Sequence, residues 1–282
     1  MLGDAIRAES YRLSRNRGVL FWSVAFVPLA SLALTVLGHV FAKANETKLA
    51  SSSIDFNIAG GPLDLFQVIA DSAAGFANPG VLMFMTIGAA TLYAGDYRWE
   101  TWRLISARNT RVNLVIAKLA VFFGLVLAAS LAMLVADVIA ALVQAAAFAR
   151  PLAFGVDGEG LGRMGLLGLL SWVRILQFTM VGLLTAIVSR SLLAALFIPL
   201  VLGVAQAVAP QIMMGLGIMP NGWPPMLLSP ALAFDALQGV IRSAADPVNP
   251  VLLKGLVSLG LWTLVPLAGA LAAFQRQDLS RE

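Results

Sequence analysis

Six stretches of this chain are each apolar over nearly the length a membrane crossing requires. They are Gly18–Phe41, Pro79–Gly95, Val112–Ala136, Met164–Val188, Leu192–Ala209 and Val251–Phe274. A helix needs roughly 20 apolar residues to cross the hydrocarbon core. Backbone polar groups in lipid must be satisfied inside the protein, which leaves helices or a closed barrel. No ten-residue segments of alternating polarity occur, so the barrel is set aside. The sequence therefore predicts an all-α, polytopic membrane protein: one domain over 1–282 with six transmembrane helices. Its 12% of charged residues is far below that of a soluble chain. A cleaved signal peptide is the alternative for the first run, since Ala42-Lys43-Ala44 has small residues where a cleavage site would need them. That run is longer than a typical signal core.

The connections carry the polar chemistry. Met1–Arg17 places Leu2, Ala5, Ile6 and Leu13 on one helical face and Arg7, Tyr11 and Arg15 opposite, the pattern of a helix lying in the membrane interface. Glu9 falls on the apolar side, where it either pairs locally with Arg12 or meets a partner. Pro62–Ala77 reads as a short amphipathic helix on the outer surface. Arg150–Arg163 is a Gly- and Pro-bearing outer turn, and Ser189-Arg190-Ser191 a tight inner one. The long 210–250 connection contains Met226–Ile241, apolar but too short to span, hence re-entrant or interfacial. Twelve Arg and Lys flank the spans on the side of both termini and six on the other. The richer side is expected to be cytoplasmic.

Composition removes several activities. With no cysteine and a single histidine, His39, thiol catalysis and multi-histidine metal sites are excluded. No phosphate-binding Gly-rich loop is present. No nucleophile and base can be paired inside the bundle, so an enzyme is not expected, and neither a metal nor a cofactor bound by this chain. The basic residues sit beside apolar spans, which explains the pI without nucleic acid. Asp137 and Arg174 are the ionisable residues deepest in the spans. Counted from Lys118 and Arg190 they lie about 28 Å and 24 Å along helices rising roughly 1.5 Å per residue, so they reach similar depth. The expectation is an intramembrane ion pair between spans three and four, serving as a pin or in gating or substrate contact.

Between spans two and three, Ala94–Lys118 carries Arg98, Arg103, Arg108, Arg111 and Lys118. A short helix over Trp99–Ala107 is expected there. Either these arginines only enforce topology or the segment is a surface through which a cytosolic partner works the membrane part. The residues Asp96-Tyr97-Arg98-Trp99-Glu100-Thr101-Trp102-Arg103-Leu104, followed by Arg111 and Lys118, resemble the first inner loop of ABC type-2 exporter permeases. The opening Ala8-Glu9-Ser10-Tyr11-Arg12-Leu13-Ser14-Arg15-Asn16-Arg17 resembles that family's opening as well. Glu100 stands where the family usually has Gly.

The resemblance implies a permease domain paired with a second permease copy in the bacterial inner membrane, both termini cytoplasmic. It implies a coupling helix within 96–111 that docks on a separate ABC ATPase subunit, which would bind ATP and Mg. Glu9, Trp99, Glu100, Thr101, Arg103 and Arg108 would then meet that ATPase. Short re-entrant helices before span six would form an outer gate, here Leu227, Leu228, Pro230 and Phe234. Substrate would leave from the cytoplasm or the inner leaflet. The rivals are an ion-gradient-driven carrier and a non-transport membrane assembly factor.

Overall fold

The structure, a computed structural model, describes residues 2–46, 61–98, 109–243 and 250–277. Trp99, Glu100, Thr101, Arg103 and Arg108, with the expected helix over Trp99–Ala107, lie outside the described residues. The chain is almost wholly helical. Helix α1 (Leu2–Arg15) precedes α2 (Arg17–Ala44), and a two-residue strand β1 (Leu63–Asp64) leads into α3 (Leu65–Gly75) and α4 (Pro79–Arg98). Then come α5 (Arg111–Ala147), β2 (Leu152–Ala153), α6 (Gly158–Ser189), α7 (Leu192–Gly215), α8 (Trp223–Leu228), α9 (Pro230–Arg242) and α10 (Pro250–Arg276).

Five helices, α2, α5, α6, α7 and α10, are long and apolar enough to cross a membrane. The expected second span does not qualify alone, because glycines, threonines and Asp96 dilute its apolar run. It does so only together with α3, from which it bends by 55°. The protein is thus membrane-embedded, with five such helices or six counting the bent pair. The 37 residues of α5 exceed the expected span by about three turns, within the stretch up to Ala149 over which the sequence also allows the helical pattern to continue. Pro210, expected to end span five, is carried inside α7.

Side chains at the helix starts explain the boundaries. Asp64, Thr110, Asp157, Ser191 and Ser229 each accept a hydrogen bond from a backbone N–H of the first turn of α3, α5, α6, α7 and α9 respectively. Arg190 closes α6 in the left-handed conformation, φ 55°. The tight turn at Ser189-Arg190-Ser191 is made this way. Within α2, Phe21–Ala25 forms a π turn that brings the buried Ser23 hydroxyl to the Phe84 carbonyl at 3.2 Å.

Helix α6 is the centre of the bundle. It packs on α3, α4, α7, α9 and α10. Helix α3 also packs on α5, whereas α5 and α6 scarcely touch. So α3, expected on the outer surface, is wedged between two long helices. Its last carbonyls are satisfied by the neighbours: Ser171 on α6 donates to Ala73 and Ala74, and Gln238 on α9 to Ala74. At this loop end β1 pairs in parallel with β2, Leu63 opposite Leu152 and Asp64 opposite Ala153. Arg150 donates to the Gly61 carbonyl at 2.9 Å.

Candidate functional site

The opposite, basic end holds a closed ring of four charges on three helices. Its acids and bases alternate. Lys118 Nζ on α5 lies 3.0 Å from Glu9 Oε1 on α1 and 2.5 Å from Asp96 Oδ2 near the end of α4. Arg12 on α1 closes the circuit, 2.7 Å from Asp96 Oδ1 and 3.3 Å from Glu9 Oε1. Lys118 also donates to the Leu92 carbonyl at 2.6 Å. Asp96 and Lys118 are fully buried and Glu9 nearly so, while Arg12 is half-exposed.

Local sequence puts each member there. Glu9, Ala5 and Leu13 share the buried face of α1, spaced by four residues, and that face lies on α5. Lys118 lies two turns into α5 among Val115, Val121 and Phe122, all buried. An isolated ammonium or carboxylate would be untenable here, and alternation leaves the ring neutral. Burial alone would lower the Arg12 pKa. The Asp96 charge and hydrogen bond, with Glu9, outweigh it and hold Arg12 above its ordinary value.

A second tie gathers the same end. Arg111, at the start of α5, donates to the carbonyls of Phe274, Gln275 and Gln277 at 2.5, 2.9 and 2.8 Å and lies over the Phe274 ring. Tyr97 donates to Gln277 Oε1 at 2.8 Å, and Gln277 Nε2 to the Ile187 carbonyl at 2.5 Å. Both roots of the 99–108 segment are therefore bound to α1 and to the end of α10, and Gln277 links that end to α6. A cleft of about 460 Å³ lined by Tyr11, Arg12, Arg15 and Thr91 opens beside the ring.

Three expectations are corrected. Glu9 does not face outward to a partner, because its carboxylate is consumed by Lys118 and Arg12. The reading that paired it locally with Arg12 names one of its two partners. Asp137 and Arg174 do not pair. With α3 between their helices, Arg174 instead donates to Gln177 on its own helix and to Gln206 Oε1 on α7 at 2.9 Å. Asp137 stands apart in a groove between α2, α3 and α5. Finally, Met226–Ile241 is not one segment but two helices broken at Ser229.

The expected gate residues lie on those two helices, where Pro230 and Phe234 are buried, Leu227 is half-buried and Leu228 exposed. Helix α8 is held to α10 by bonds from Ser258 to the Met226 carbonyl at 2.6 Å and from Trp262 to the Leu227 carbonyl at 2.7 Å. Sequence reasoning placed Lys118 in the basic segment but missed its ring. The signal was there, in a lysine inside an apolar run and an acid on an apolar helix face.

Among the described residues no His, Asp and Glu side chains gather as a metal site requires. The fold and the ring together define a helical membrane protein whose basic end is cross-braced around one connecting segment. Neither a family model nor a characterised protein nor a solved structure matches the chain.

Proposed function

We propose that the chain is the membrane subunit of an ATP-driven exporter. It works as a dimer with a second permease copy, through an ATPase subunit docked on the 96–111 segment. The observation that supports this most is the bracing of that segment's two roots. Asp96 and Lys118 lock into one neutral ring with α1, and Tyr97 and Arg111 into the end of α10. A segment that only enforced topology would need its positive charges but not these buried ties. Displacement of 99–108 by a partner would be passed directly to α1, α5 and α10. On this reading Trp99, Glu100, Thr101, Arg103 and Arg108 contact the ATPase, and Glu9 holds the segment's footing instead. Helices α8 and α9 cover the exit as a gate. Substrate moves outward from the cytoplasm or inner leaflet.

The test is reconstitution with the ABC ATPase encoded beside this chain. Wild type should co-purify with it and support ATP hydrolysis, and the double variant Glu100→Ala, Arg103→Ala should lose both. An ATPase that neither associates with wild type nor distinguishes the variant would replace this reading by the gradient-driven carrier or the assembly factor. The carrier is then tested by proton- or sodium-driven uptake with Asp137→Asn.

A further inference from the structure

Asp137 is the deepest carboxylate of the chain's spans, and among the described residues it has no cationic partner. A carboxylate at membrane depth is costly unless something compensates it. It lines a groove of about 350 Å³ between α2, α3 and α5. The Ser72 hydroxyl lies within its reach. His39 lines the same groove, and its buried Nδ1 has no hydrogen-bond partner among the described residues. Val68, Met133 and Ala140 form the apolar part of the wall, and Thr35 and Gln144 add two neutral polar side chains that bring no charge. The second acid of the groove, Asp71, already meets Arg242 at 3.4 Å and accepts from Gln67. The unanswered charge is that of Asp137.

Depth identifies what such a groove can meet. Lys118 marks the basic boundary of α5, and Asp137 lies about 28 Å beyond it at roughly 1.5 Å per residue. That is just short of the hydrocarbon thickness of about 30 Å, so Asp137 stands at the far edge of the hydrocarbon, within reach of the head groups of the opposite leaflet. The helices that flank the groove leave Leu34, Leu37 and Phe41 of α2, and Val135 and Ile139 of α5, exposed. A carboxylate and a hydrogen-bond acceptor within reach of the head groups, between apolar helix flanks, match an amphiphile that carries N–H donors and positive charge.

We infer that the Asp137 groove binds a protonated primary amine, as borne by an aminophospholipid head group, with the ammonium donating to Asp137 and to His39 Nδ1. The inference goes beyond the exporter reading and does not rest on it, since binding needs neither ATP nor a partner.

The test uses the full chain in nanodiscs of phosphatidylcholine containing a few per cent phosphatidylethanolamine, with retained lipid counted by native mass spectrometry. Wild type should retain phosphatidylethanolamine in preference to its trimethylated analogue. Asp137→Asn should weaken that retention about tenfold, the loss of one charge-assisted bond. Ala140→Phe, which fills the groove and leaves every charge in place, should weaken it as well and carries the test if the asparagine variant does not fold. Ethanolamine hydrochloride, the same ammonium without acyl chains, separates the sources. Competition at millimolar concentration means the groove reads the ammonium alone, and no competition means it requires the lipid. Equal retention of the two lipids by wild type, or unchanged retention by folded Asp137→Asn and Ala140→Phe, overturns the inference. Neither result touches the ATPase assay.

Discussion

Lys118 cannot be removed without leaving two buried carboxylates to share one half-exposed arginine. Breaking a buried ion pair from one side costs about 3–5 kcal/mol, mostly because the abandoned charge stays in low dielectric. Lys118→Met is therefore expected to destabilise the protein by about that much in denaturant or thermal unfolding in detergent. Arg12→Met should cost about 1 kcal/mol or less, since water screens its contribution. The contrast is the measurement: equal effects would mean that the ring is not the buried, alternating circuit described above. Arg174 obeys a different logic. Its hydrogen-bond partners Gln177 and Gln206 are neutral. Among the described residues Asp235 on α9 is the one carboxylate whose charge acts on it, and the amide nitrogens of both glutamines are buried without an acceptor. Gln206→Leu removes one acceptor from a buried guanidinium, and about 1–3 kcal/mol of destabilisation is expected in the same unfolding assay.

At the scale of elements, α9 and α10 pack in the loop half through a glycine. A Cβ at Gly255 on α10 would come within 2.6 Å of Leu237 Cγ on α9, and that atom is the branch point of the side chain rather than its flexible tip. Gly255→Val should separate the two helices and cost about 1–3 kcal/mol, and Leu237→Ala in the same chain should recover part of it. Failure of the second substitution to help would place the strain elsewhere. Elements of this kind were unevenly legible in the sequence. The runs that became α2, α5, α6, α7 and α10 could be read because about 20 apolar residues between charges admit one solution in lipid. Helix α3 was read correctly as a short helix, but its wedge between α5 and α6 was not legible. Amphipathicity says that a face is buried, never against what. That unseen wedge is also why Asp137 and Arg174, matched in depth, are not neighbours. The ring failed to appear for the opposite reason: Glu9, Asp96 and Lys118 were each conspicuous, yet 87 and 22 residues separate them in order along the chain, and only the packing of α1 and α4 on α5 joins them.

For the whole molecule, the ring and the docking segment make separable contributions if the exporter reading is right. The 99–108 segment would bind the ATPase, while Asp96 and Lys118 would carry its displacement into the bundle. Association and transmission should then fail in different variants. The chain contains no cysteine, so a pair of probes can be introduced cleanly at Ser14→Cys on α1 and Ser243→Cys beyond α9, both exposed. With the ATPase bound, ATP should change the distance between the probes in wild type. Glu100→Ala with Arg103→Ala should abolish the change by abolishing association. Asp96→Asn should keep association within about twofold, because no docking residue is altered, yet lose most of the distance change, since α1 is no longer pulled by the ring. Hydrolysis without motion in Asp96→Asn is the signature of a broken transmission. Full motion in that variant would reduce the ring to a structural brace and leave Tyr97 and Arg111, through α10, as the path by which the segment moves the membrane helices.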